Sequence, residues 1–310
     1  MAGGVVVLSD SMHAYLSLRR AVGFKLNTVE KYLQSYVNFA TSQGDTHVVG
    51  KSVIDWAAKA RSEESRAQRL EHLIRFARFV RTEDSRHEIP SDHVFCKRRQ
   101  RRTPCLLTDQ EVARLLREAG TLGPAGSLRP HTYRTIFGLL ASTGLRISEV
   151  LSLRCDDITP DGLVIRETKF KKSRLIPIHE SVTLALDSYL ALRLRRTKTD
   201  PHLFVSHRGG GRLHYDIVAT TFREVLNAAG ISARPDGSLP RLHGLRHRFA
   251  VNALQTCPDS RDRVTRHMLA LSTYLGHARV ESTYWYLEST PLLMTDIAEV
   301  SEMFMKGDAS

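Results

Sequence analysis

The run KRRQRR at residues 97–102 puts five cations into six positions, and Thr103-Pro104 follows it. Such a segment cannot enter a core, because each buried charge would lose its hydration without a counter-charge. Its like charges also repel one another, which keeps the chain open. The proline removes a backbone donor and biases Thr103 away from helix. The run therefore reads as an exposed linker between two parts, residues 1–103 and 104–310. Each part is long enough to hold a core of its own.

The first part reads as helical throughout. In MHAYLSLRRAVG, Met12, Tyr15, Leu16, Arg19 and Val22 share one face, and Gly23 is placed to end the helix. In NTVEKYLQSYVNFATSQG, Asn27 and Glu30 have the spacing of a capping box. VIDWAAKA reads as a short helix. EESRAQRLEHLIRFARFV sets Leu70, Leu73, Ile74, Ala77 and Val80 on an apolar stripe. Arg66, Arg69, Arg75 and Arg78 fall on its other side, a surface suited to a polyanion.

The second part opens with TDQEVARLLREAG, where Thr108 caps, Glu111 completes the box and Gly120 terminates. A helix over about 131–142 leads to Gly144. LVIRE (163–167) and RLIPI (174–178) are β-rich runs joined by a polar loop, the pattern of a hairpin. Helices are predicted over about 181–196, 215–229, 244–255, 262–274 and 292–304. The fold class is thus mainly α with a small antiparallel sheet, in two domains.

Charge narrows the partner. Lys and Arg number 45 against 33 Asp and Glu, a net +12. A polyanion is the natural ligand, with nucleic acid ahead of an anionic membrane. Lys97, Arg98, Arg99, Arg101 and Arg102 are candidate DNA contacts, a strap along the phosphate backbone. No stretch approaches the length of a membrane span, and the N-terminus lacks the pattern of a signal peptide. Cys96, Cys105, Cys155 and Cys257 form no CxxC pair. They read as reduced thiols of a cytoplasmic protein.

Four short stretches carry chemistry-bearing residues. STGLRISEVLSL places Arg146 after a glycine turn with Glu149 three residues on. TKFKKSRLIPI puts Lys169, Lys171 and Lys172 on a hairpin tip. HGLRH holds His243, Arg246 and His247 on neighbouring positions of one helix. The histidine pair four apart also fits a metal site, but the glutamate of an HExxH motif is missing. STYLGHARVESTYWYLEST adds His277 after Gly276, then Tyr284, Trp285 and Tyr286.

Their order resembles the catalytic domain of the tyrosine recombinases, the phage integrase family. TGLRISEVLSL resembles the first arginine box and HGLRH the HxLRH box. LGH with a tyrosine nine residues later resembles the nucleophile box. RLIPI after TKFKKS resembles the catalytic hairpin, which puts Lys169 at the family's lysine position. Phe170 stands where a glycine often flanks that lysine, so Lys171 and Lys172 are substitutes. The part before the linker resembles the family's helical core-binding domain, and the text around STYLGH resembles integrases of transposons and insertion elements.

The resemblance implies attack of the Tyr286 oxygen on a DNA phosphodiester, giving a 3′-phosphotyrosine and a free 5′-hydroxyl. It assigns Arg146 and Arg246 to the phosphate oxygens. It assigns His243 and His277 to hydrogen bonding or proton removal, and Lys169 to the leaving oxygen. Glu149 would position Arg146 or a neighbouring histidine, and His247 is left to packing or capping. No metal and no cofactor are required. The implied assembly is a tetramer at synapsis formed from free monomers, with residues 291–310 docking on a neighbour and DNA-bending or element-encoded proteins as accessories. A type IB topoisomerase uses a similar constellation, and a non-catalytic DNA-binding accessory protein is the reading outside enzymes. Tyr284 is the rival nucleophile; it sits roughly 200° round a helix from Tyr286.

Overall fold

The computed structural model describes residues 3–24, 26–95, 105–166, 173–196, 200–207, 209–256, 261–277 and 283. The chain divides into two compact units, Met1–Arg101 and Arg102–Ser310.

The first unit contains α1 (Gly3–Ala21), α2 (Asn27–Ser42), α3 (Gly50–Ala58) and α4 (Glu63–Val80). Its core joins Leu8, Met12 and Leu16 of α1 to Leu33 and Tyr36 of α2, Trp56 of α3, and Leu73 and Phe76 of α4. The α4 stripe is buried as its spacing requires, and the Ser62 side chain caps it by accepting from Ser65 N. Two details differ from expectation. Val22 is 68% exposed, because α1 stops at Ala21 and Gly23 turns the chain at φ +93°. Asn27 is not a cap: Leu26 holds that position in the left-handed region, and Glu30 bonds Arg20 at 2.6 Å instead. Of the four arginines on α4, Arg69 lies 5.0 Å over the Trp56 ring and Arg66 donates to the Ala60 carbonyl. Arg75, ion-paired with Glu71, and Arg78 are exposed.

The second unit begins with α5 (Asp109–Ala119), α6 (Arg129–Thr143) and the single turn α7 (Ile147–Val150). A three-stranded antiparallel sheet follows in the order β1 (Ile158–Thr159), β2 (Gly162–Ile165), β3 (Arg174–Ile176). Then come α8 (Glu180–Arg196), α9 (Tyr215–Ala228), α10 (Leu242–Gln255) and α11 (Arg261–Leu275). The predicted capping box on α5 is present, with Glu111 N donating to the Thr108 hydroxyl and Thr108 N to the Glu111 carboxylate. The hairpin pairs Ile165 with Arg174, so β3 starts directly where the hairpin loop returns. Apolar faces of α6, the sheet, α8 and α9 close one core around Phe137, Leu163, Ile176, Tyr189 and Phe222. A smaller cluster, including Ala250, Leu254, Met268 and Leu275, joins α10 to α11. This second cluster brings the N-terminal turns of α10 and the C-terminus of α11 to the end of α6.

Candidate active site

The site forms where three chain turns converge. The first is the end of α6, where Gly144 adopts φ +60° and breaks the helix. A Cβ on Gly144 would stand 2.4 Å from the Phe249 ring, so α10 can pack here only against a glycine. Two residues on, Arg146 caps α7 and donates its backbone N–H to Glu149 at 3.0 Å. The pattern Arg-x-x-Glu therefore fixes the carboxylate beneath its own arginine.

The second turn is the start of α10. The helix begins at Leu242, two residues earlier than predicted, so HGLRH occupies its first turns. Arg246 lies inward and is only 2% exposed. His243 and His247 stack edge to face with ring centroids 4.3 Å apart.

The third is the end of α11. Gly276 N–H donates to Thr273 and His277 N–H to Ser272, and Gly276 sits at φ +64°. These two bonds make a Schellman turn. Past them, the carbonyls of Tyr274, Leu275 and Gly276 each accept from an arginine. Arg174 donates to Tyr274 at 3.0 Å, Arg246 to Leu275 at 2.8 Å and Arg146 to Gly276 at 2.8 Å. Three guanidiniums thus meet at the negative end of one helix, where the backbone carbonyls favour cations. Arg246 also donates to Gly144 at 2.6 Å and so links the ends of α6 and α11.

Glu149 is the anion in this group. Arg146 bonds one of its oxygens at 2.9 Å, and Arg174 bonds both, at 3.1 and 3.0 Å. Burial pushes the Glu149 carboxyl up, but hydrogen bonds and charge from Arg174 and Arg146 hold it below the ordinary range. Among the described residues, one carboxylate against three arginines leaves an excess of positive charge, the condition for binding an anion.

The histidines feel the same field. Burial and then Arg246, Arg146, His243 and Arg174 push His277 down to about 4. His247 is pushed down to about 3 by burial, His243, Arg246 and His277. His243 is open to solvent, yet protein packed behind its ring, with Arg246 and Arg146, lowers it too. All three are neutral near pH 7. The Nδ1 of His277 lies 2.8 Å from the hydroxyl of the fully buried Thr283, which fixes the ring's orientation.

The structure therefore brings together Arg146, Glu149, His243, Arg246 and His277. Lys169, with Lys171 and Lys172, lies outside the described residues, as do Tyr284, Tyr286, residues 291–310 and Lys97, Arg98, Arg99, Arg101 and Arg102. Among the described residues no group of three or more His, Cys, Asp or Glu is arranged for a metal ion. Sequence reasoning missed Arg174. It reads as the first residue of a strand, and nothing local shows that its side chain reaches Glu149 and α11.

Comparison with known proteins decides the family. The profile of the phage integrase family matches residues 106–292, well over half the chain. The chain belongs to the phage integrase family. It is 35% identical to the integrase/recombinase relative y4rB of Sinorhizobium fredii, over 93% of this chain and 94% of that one. It is 28% identical to the tyrosine recombinase XerD of Halalkalibacterium halodurans, over 94% and 96% of the two chains. Among solved structures, the XerH site-specific recombinase bound to palindromic difH substrate in a post-cleavage complex aligns with a TM-score of 0.66. It has 17% identity and covers 89% of this chain and 80% of that one. A lambda integrase tetramer bound to a Holliday junction gives 0.63 at 18% identity, over 90% and 76%. These likenesses bear out the expected fold class. The family membership makes the protein a tyrosine site-specific recombinase that cleaves and rejoins DNA through a phosphotyrosine, and it does not favour the topoisomerase or accessory readings.

Proposed function

We propose that Arg146 and Arg246 clamp the scissile phosphate of a double-stranded recombination site while Tyr286 attacks it. The observation that carries this reading is the cluster of arginines on the last carbonyls of α11, immediately before His277. Phosphoryl transfer needs charge stabilised on the non-bridging oxygens, and a pair of guanidiniums supplies it. Arg146 uses two of its donors on Glu149 and Gly276, and its side chain remains 30% exposed. The arginines have planar donor forks suited to phosphate.

In the cleavage step a bond forms between the Tyr286 phenolic oxygen and phosphorus, and the bond from phosphorus to the 5′-oxygen breaks. The phenolic proton passes to a neutral imidazole of the His243/His277 pair. Both rings are held neutral near pH 7 and so can accept a proton, although burial and the arginines make them weaker bases than a free imidazole. Lys169 gives its proton to the departing 5′-oxygen. An incoming 5′-hydroxyl reverses the step, so the energy of the phosphodiester is kept and no nucleotide cofactor is consumed.

The first unit serves as the core-binding domain in this reading, with KRRQRR as a strap on the backbone. Strand exchange between two duplexes uses four protomers, assembled from free monomers, with residues 291–310 docking between neighbours. Accessory DNA-bending or element-encoded proteins are the further partners in this reading. No described helix is long and apolar enough to cross a membrane, and the proposed site of action is the cytoplasm.

Covalent trapping on a nicked duplex drawn from the DNA flanking the gene tests the assignment. Tyr286→Phe abolishes the protein–DNA adduct. Loss of the adduct in Tyr284→Phe with its retention in Tyr286→Phe reverses the choice of nucleophile.

A further inference from the structure

Arg174 opens the RLIPI run, where the sequence gives it no chemical role, yet all three of its guanidinium nitrogens are engaged at the site. Its Nε donates to the Tyr274 carbonyl at 3.0 Å, and Nη1 and Nη2 each bond one oxygen of Glu149. The side chain is 14% exposed, against 30% for Arg146. The fit is close: a Cβ on Gly276 would stand 2.7 Å from Arg174 Nη1 and 2.8 Å from its Cζ.

The geometry points to Arg174 as a positioning residue for Arg146. A carboxylate and a guanidinium left to themselves favour a two-bond fork. Glu149 does not make that fork with Arg146. Arg174 takes it, leaving Arg146 one side-chain bond to Glu149 and its Nη2 for the Gly276 carbonyl. Without Arg174, Glu149 is free to fork with Arg146 and draw it off the α11 turn. The same arginine holds the Tyr274 carbonyl, one residue from the Leu275 carbonyl that anchors Arg246. Arg174 therefore sets both arms of the clamp relative to His277 without touching the phosphate. Lysine cannot replace it, because one ammonium does not reproduce a planar fork and a third directed bond. The inference rests on the phosphate-clamp reading above.

The test compares single-turnover cleavage of a nicked duplex carrying an ordinary scissile phosphodiester with one carrying a methylphosphonate. The methylphosphonate lacks the negative charge that the clamp neutralises. Arg174→Lys keeps a cation beside the buried carboxylate and is the variant protected against unfolding; Arg174→Ala is run beside it. On the phosphodiester both variants slow cleavage by about tenfold to a hundredfold, the range for losing a charged hydrogen-bond partner, while DNA binding is retained. On the methylphosphonate the deficit shrinks for both, as it does for Arg146→Ala. A deficit in the Arg174 variants that is equal on both substrates marks a purely structural role and overturns the proposal, provided Arg146→Ala still discriminates. If Arg146→Ala does not discriminate either, the clamp reading falls, and this inference with it.

Discussion

Arg246 donates to the carbonyl of Gly144 at 2.6 Å across 102 residues of chain, from the first turns of α10 to the left-handed residue that ends α6. The buried guanidinium is thus a structural tie, and in the proposed reading it is also one arm of the phosphate clamp. Substitution by lysine keeps the charge but cannot span Gly144 and Leu275 together. Arg246→Lys is expected to cut the rate of adduct formation by about a hundredfold or more, as for loss of one preorganised donor of a developing oxyanion. It is also expected to lower stability by about 1–3 kcal/mol through the carbonyl left without a partner. Trapping kinetics and urea denaturation on the same preparation check both.

Gly276 is constrained twice, by its φ of +64° and by the Arg174 guanidinium lying against its α-carbon. The left-handed conformation alone costs an alanine about 1–2 kcal/mol. The added methyl must also displace Arg174. Gly276→Ala is therefore expected to lose more stability than Gly230→Ala, where φ is +63° and the space for a Cβ is open. It is further expected to slow cleavage, which Gly230→Ala does not. Equal stability losses and unchanged cleavage in the pair would show that Arg174 moves aside freely.

Much of this arrangement is legible in the sequence. Helical spacing predicts α4 over the residues where it forms, because its stripe of Leu70, Leu73, Ile74, Ala77 and Val80 has a core to enter. The boxes around Arg146, His243 and His277 are local, and local spacing puts each residue on its turn. Long-range side-chain competition is not local. The Asn27–Glu30 spacing is right for a cap, but Arg20 from α1 takes the glutamate. Arg174 alternates correctly for a strand, yet its partners Glu149 and Tyr274 lie 25 and 100 residues away. A strand pattern specifies faces, not what a long side chain at the strand's end will reach.

The Thr108 cap separates stability from chemistry. Its hydroxyl accepts from Glu111 N at 3.2 Å, and the Glu111 carboxylate binds Arg234 at 2.7 Å. Thr108→Ala removes the cap and is expected to cost about 1 kcal/mol, whereas Thr108→Ser keeps an acceptor and costs little. Thermal denaturation of the two variants measures the difference. Equal losses would mean that the Arg234–Glu111 pair, not the cap, holds the start of α5.

Acidification acts on the histidines before it acts on Glu149. In the unfolded chain a histidine protonates near pH 6.5, whereas burial and neighbouring cations hold His277 at about 4 and His247 at about 3 in the folded protein. Between those values the unfolded state binds more protons, so stability falls as pH falls through that window. Glu149 has a folded pKa below its unfolded one, so its contribution is present above the carboxylate range and is lost only at lower pH. A comparison of about pH 7 with about pH 5 therefore reads the histidines, each expected to contribute roughly 1–2 kcal/mol of loss. His247→Gln cannot titrate, and its unfolding midpoint is expected to drop less between the two conditions than that of the unmodified protein. An identical drop in both would mean that His247 takes up its proton in the folded state at an ordinary pH, and that burial beside His243 and Arg246 does not hold it neutral.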